Sequence, residues 1–278
     1  MIKLILCDGD SWTAGDMIDP TIDTTNVNDE RNDDYRLSKL WPNDLEKLSN
    51  IPVLNIARAG SSNDGVCRRI IDNINYFLEE ELYSPEELFV IVGWSSPERK
   101  DFYYTSIEHT GWETLYPSFF ECTINTKKDI QDFYKTYIQY FWNQAEFITR
   151  HIQQNYLLHY FLKDKNIKHI FFNAFYECKF DLEKTPYEMS VDNDFVGIFY
   201  KSDLMDDLTG QASINKSTVK NFSKLYDQIF IKGSFRNHIM TLMENGHDNL
   251  FEPDQHHPNR EGHKIWANVV YNHIKDVI

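Results

Sequence analysis

Ser11, His257 and Asp254 are the residue types from which an acyl-transfer site is built, provided the fold brings them together. A serine hydroxyl is a weak nucleophile until a base takes its proton, and a histidine base needs an anion to hold its tautomer. Ser11 directly follows the string Ile5-Leu6-Cys7-Asp8-Gly9-Asp10. Asp254 and His257 stand three positions apart in Asp254-Gln255-His256-His257-Pro258, at the far end of the chain. The chemistry these parts imply is that of a serine hydrolase acting on an ester.

Such parts meet only if the intervening elements deliver them to one place. Short β-rich runs alternate with longer amphipathic stretches, which predicts βαβ units and a parallel sheet. Strands are expected at Ile2 to Cys7, Pro52 to Ile56, Leu88 to Val92 and Lys168 to Asn173. A fifth falls at either Gln228 to Ile231 or Phe195 to Phe199. Apolar residues at helical spacing predict helices over Asp64 to Leu82, with Asn63 as cap, over Phe133 to Phe161, and over Ile265 to Ile278. In an open parallel sheet, ligands bind beyond the carboxyl ends of the strands. Ser11 follows the first strand, Gly60 and Ser61 the second, and Gly93-Trp94-Ser95-Ser96 the third, so chain order sends every candidate to one edge. Three stretches exceed a minimal unit and read as insertions: about 16–34, 97–132 and 176–225.

Composition narrows the classes. A chain of 278 residues with 41% hydrophobic and 15% aromatic content fits one large domain with a packed core. A formal charge of −15 argues against nucleic-acid or anionic-membrane partners, which need clustered Lys and Arg. Cys7, Cys67, Cys122 and Cys178 show no CxxC spacing and read as reduced thiols, with Cys7 buried in the first strand. The apolar N-terminal stretch is too short for a signal peptide or membrane span, so cytoplasmic synthesis is expected. Enrichment in Asn, Lys and Ile points to a microbe or phage, and incorporation into a phage particle is the alternative destination.

Three blocks of the chain resemble the SGNH, or GDSL-type, hydrolase family. Gly9-Asp10-Ser11 with Gly15 looks like its first block, GDSxxxG. Asn55-Ile56-Ala57-Arg58-Ala59-Gly60 looks like the second. Asp254-Gln255-His256-His257-Pro258 with Gly262 looks like the last, DxxHPxxxG. The resemblance implies a three-layer α/β/α sandwich of flavodoxin-like strand order 2-1-3-4-5. It also implies Ser11 as nucleophile, His257 as general base, Asp254 as orienting acid, and the Ser11 and Gly60 amides as oxyanion donors. The third block departs from the family: Ser95 occupies the place of an Asn donor, so either Ser95, Ser96 or Asn63 from the neighbouring loop substitutes, or the hole is incomplete and the protein slow or inactive. Trp12, Trp94 and His256 are candidate substrate contacts.

Other readings compete. Asp8-Gly9-Asp10 after a strand resembles the opening of haloacid-dehalogenase-type phosphatases, but Trp12 stands where Thr or Val is wanted. His247, His256, His257 and His263 invite a metal, yet no HExxH or Cys-rich partner accompanies them. Glu98 and Arg99 read as a local ion pair or as substrate contacts. The expected function is removal of acetyl or another short acyl group from a carbohydrate or similar alcohol, without metal or organic cofactor. The alternative is an SGNH scaffold that has lost catalysis and binds glycans or serves a structural role.

Overall fold

The computed structural model describes residues 1–15, 38–105, 110–115, 132–133, 136–137, 139–141, 144–175, 178–181, 188–191, 216–252 and 256–278. The apolar runs become strands β1 (Leu4–Asp8), β2 (Val53–Asn55) and β3 (Leu88–Trp94). A hairpin of β4 (Lys100–Thr105) and β5 (Thr110–Leu115) follows, then β6 (Lys168–Asn173). A second hairpin, β7 (Cys178–Asp181) and β8 (Glu188–Val191), precedes β9 (Phe230–Ser234). One five-stranded sheet runs β2-β1-β3-β6-β9, every neighbouring pair parallel. This is the expected 2-1-3-4-5 order. The fifth strand overlaps the first of its two predicted positions; the other, 195–199, lies outside the described residues, as does the insertion at 16–34.

All residues of β1 and β3 are buried. A parallel strand covered on both faces must be apolar throughout, which is why these two read so plainly in the sequence. Helices supply the covers: α1 (Ser11–Ala14), α2 (Trp41–Ser49), α3 (Asn63–Glu79), α4 (Gln144–Asp164), α5 (Lys216–Ile229), α6 (Phe235–Glu244) and α7 (Arg260–Ile274). Alternation along β6 assigns the layers. Phe172 meets Trp41 of α2 and Trp266 of α7, at 5.6 and 5.1 Å between ring centroids. Phe171 faces the opposite way, toward Trp94, and His151 of α4 and Phe222 of α5 pack on that side. The fold is therefore an α/β/α sandwich.

Several helix limits differ from the sequence reading. Ser62, not Asn63, caps α3, accepting from the Gly65 N–H at 3.1 Å. The helix predicted from Phe133 is described as a continuous element only from Gln144. Asn259 caps α7 by accepting from the Glu261 and Gly262 amides, so the helix starts at Arg260, five residues earlier than expected from Ile265. The two hairpins fall within stretches read as insertions, and α2, α5 and α6 were not anticipated.

His263 links the α2–α7 layer. It is fully buried, and its Nδ1 accepts from the Trp41 N–H at 3.4 Å. Burial holds its imidazole down to about 3, with His257 adding to the depression. Protonation would remove that acceptor and bury a charge. A depressed folded value means the stabilisation is present above the unfolded value of about 6.5 and lost as pH falls toward the folded one. His263→Gln, which keeps an acceptor, should be less stable than the parent at pH 7.5, with the gap closing toward pH 4.5. Thermal melts across that range check this.

Candidate active site

β1 ends at Asp8, and α1 begins at Ser11 with only Gly9 and Asp10 between them. The connection is tight. Asp10 caps α1 by accepting from the Trp12 N–H at 3.0 Å, and Gly15 closes the single turn with φ of 76°, a left-handed conformation that a side chain disfavours. Asn55 at the end of β2 donates to the Thr13 carbonyl at 2.9 Å, tying the second loop to the first. The break in strand order between β1 and β3 lies at this edge, where an open sheet leaves a crevice.

His257 arrives from the opposite end of the chain. Its loop is pinched at the base: Phe251 bridges Pro258, the Glu252 N–H donates to the His257 carbonyl at 2.8 Å, and the Asn259 N–H donates to the Leu250 carbonyl at 2.9 Å. Asn259 adds side-chain donation to the Asn249 carbonyl while capping α7. A helix start thus anchors the loop that carries the imidazole. His257 Nε2 lies 3.1 Å from Ser11 Oγ, hydrogen-bond distance for a nucleophile and its base. Asp254, the expected orienting acid, lies outside the described residues.

Gly60 stands in the loop after β2 with φ of 73°. Among the described residues neither the Ser11 nor the Gly60 N–H has a hydrogen-bond acceptor. Ser95 is buried; its N–H donates to Asn63 Oδ1 at 2.8 Å, and its hydroxyl has no partner among the described residues. The reading of Asn63 as an oxyanion donor is corrected: its amide donates to the Ser95 carbonyl at 3.1 Å and meets His151 Nδ1 at 3.4 Å. Asn63 clips the third loop to the second.

Trp12 and Trp94 are also corrected. Each is 1% exposed. Trp12 sits edge-on to Phe175, Phe235 and Phe251, and Trp94 packs on Phe171 and His151. Both are core residues rather than substrate contacts. His256 is partly exposed beside His257. Arg99 reaches Asp10: its Nη1 lies 3.6 Å from Asp10 Oδ2 and donates to the Ser61 carbonyl at 3.3 Å. Nothing in the sequence pointed to that link.

Asp8 is fully buried and held by Arg69, which donates from Nη2 at 2.6 Å and from Nε at 3.0 Å. Burial raises the carboxyl to about 7, with Arg69 pulling it back toward ionisation. An acid so enclosed is not placed as a phosphatase nucleophile. Among the described residues no three His, Cys, Asp or Glu side chains group to hold a metal, and no helix is long and apolar enough to cross a membrane. Cys7, Cys67 and Cys178 are buried free thiols.

Arg69→Met would strand the Asp8 carboxylate, and breaking a buried pair in this way costs about 3–5 kcal/mol. Losing the cation raises the folded value of Asp8 further, so stability is lost as pH rises above its unfolded value. The deficit against the parent should widen from pH 5 to pH 8. Asp8→Asn in the same chain should recover part of it. Urea denaturation at both pH values checks this.

Comparison with known proteins gives one family and a set of distant structural likenesses. No curated protein matches the chain. A protein described as lipolytic, of the G-D-S-L family, from Desulfitobacterium hafniense DCB-2 is 13% identical, covering 97% of this chain and 98% of its own at a TM-score of 0.44. The psychrotrophic esterase EstA from Pseudoalteromonas sp. is 12% identical, covering 99% and 97%, at 0.44. A GDSL-like lipase from Bacteroides thetaiotaomicron is 10% identical, covering 99% and 89%, at 0.45. A family of unknown function, DUF6071, matches residues 23–205, a span that holds Gly60, Ser95 and Arg99 but neither Ser11 nor His257, and the chain belongs to that family.

Proposed function

We propose that the protein is a serine esterase that removes acetyl or another short acyl group from a carbohydrate or similar alcohol. The observation that carries this reading is the 3.1 Å contact between Ser11 Oγ and His257 Nε2. Ser11 Oγ attacks the acyl carbon as its proton passes to Nε2. The Ser11 and Gly60 amides receive the developing oxyanion, and the alcohol leaves with the proton from His257. Water, deprotonated by the same imidazole, then releases the acid from the acyl-enzyme. Asp254 holds the tautomer. No metal or organic cofactor takes part, and neither nucleic acid nor membrane is a partner.

The carbohydrate assignment draws on the β4–β5 hairpin that follows β3. Tyr103 and Trp112 are 59% and 52% exposed and stand edge-on at 5.2 Å, with the Arg68 guanidinium over the indole at 3.8 Å. Exposed aromatic faces suit sugar rings through their C–H bonds. A second reading, a non-catalytic scaffold that binds glycans through the same hairpin, is favoured by one observation: Ser11 is only 5% exposed.

Release of acetate from acetylated sugars and from p-nitrophenyl acetate tests the choice. The parent chain should turn over, and Ser11→Ala should lose at least about a thousandfold in rate while its melting temperature stays within about 2 °C. Glycan binding without turnover would favour the scaffold. A large loss of stability in Ser11→Ala would make Ser11 a structural residue.

A further inference from the structure

Two backbone amides can stabilise an oxyanion only if their spacing is fixed before the reaction, since preorganised donors pay no reorganisation cost when charge develops. Here they sit on different loops. Ser11 follows Asp10 at the end of β1, and Gly60 precedes Ser61 after β2. The Asn side chain that would add a third donor in the family this chain resembles is Ser95, and Asn63 is committed to the Ser95 backbone.

Arg99 touches both loops, at the residue next to each amide. Its Nη1 lies 3.6 Å from Asp10 Oδ2 and 3.3 Å from the Ser61 carbonyl oxygen. Asp10 is fully buried. Its Oδ1 caps α1, and its Oδ2 has no hydrogen-bond partner among the described residues, so the guanidinium supplies the electrostatic complement. Arg99 is itself fixed. Its N–H donates to the Ser96 carbonyl at 3.2 Å, its carbonyl accepts from Arg150 Nη1 at 2.8 Å, and its guanidinium lies 5.4 Å from the Phe175 ring centroid. The side chain is 15% exposed, which shields the pair from water.

We infer that Arg99 is a positioning residue: it sets the spacing of the Ser11 and Gly60 amides and so compensates for the missing side-chain donor. This rests on the esterase reading. Both contacts run from the one Nη1 nitrogen, whose place is set by the planar guanidinium lying against the Phe175 ring; a lysine on a flexible stem lacks that plane and would not hold its ammonium at the same point.

The test is the kinetics of Ser11 phosphonylation by a fluorophosphonate, whose P=O oxygen needs the same amides. It is read beside amide hydrogen exchange of the segments holding Ser11 and Gly60. Loss of a whole oxyanion donor costs about 10²–10³ in rate, so loosening two should slow the maximal inactivation rate of Arg99→Ala about 10–100-fold, with the half-saturating probe concentration unchanged. Exchange at both segments should quicken. Low, non-denaturing guanidinium, but not equal sodium chloride, should restore the rate severalfold. Arg99→Lys, which keeps the charge beside Asp10, should fold normally and still be slow. A rate within twofold of the parent in Arg99→Lys overturns the clamp, because charge alone would then suffice. A change confined to half-saturation overturns it too, making Arg99 a probe contact. If Ser11 of the parent chain is never labelled, the esterase reading fails and the inference falls with it.

Discussion

The contact between Ser11 and His257 is the constraint on which the rest of the structure depends. It joins positions 246 residues apart, so it exists only if both ends of the chain are independently held. At one end, β1 lies between β2 and β3 and is wholly buried, and Asp8 is tied to Arg69 of α3, so the start of α1 cannot drift. At the other, the Phe251–Pro258 bridge and the Asn259 cap fasten the imidazole loop to α7, which packs on α2. The sandwich converts two remote segments into one site.

The neighbourhood of that contact is rich in polar groups that serve other polar groups. Asn55 ties the second loop to α1, Asn63 ties the third loop to the second, and Arg99 bridges the flanks of the two amides. Each is buried or partly buried, where a satisfied hydrogen bond is hard to give up because the freed group would face no water. Rigid loops of this kind suit a site that works through backbone amides, since such donors cannot reorient as side chains do.

Much of the fold was legible because parallel strands buried on both faces leave uninterrupted apolar runs, as in β1 and β3. The first hairpin was not, since β4 mixes Lys100, Asp101, Tyr103 and Tyr104 in a largely half-buried strand, and β5 mixes Thr110, Gly111 and Glu113 with Trp112, a pattern that resembles a loop. α2 was hidden because nine residues with Pro42 near the start give too few turns for a helical period to show. At the candidate site, motif and position pointed to Ser11 and His257, which the fold brings to 3.1 Å. Trp12 and Trp94 were misplaced because adjacency to the candidate serines says nothing of which way a side chain turns, and both turn into the core. Arg99 drew notice in the sequence beside Glu98, but its link to Asp10 and Ser61 carries no sequence signal, since only the fold brings that carboxylate and carbonyl near.

The central claim is that His257 activates Ser11, and the most direct measurement is a peptide map after fluorophosphonate treatment of the parent chain and of His257→Ala. The account predicts a single adduct on Ser11 in the parent and none in the variant. Labelling of Ser11 that persists unchanged without His257, or a folded parent chain that takes no label, would contradict it.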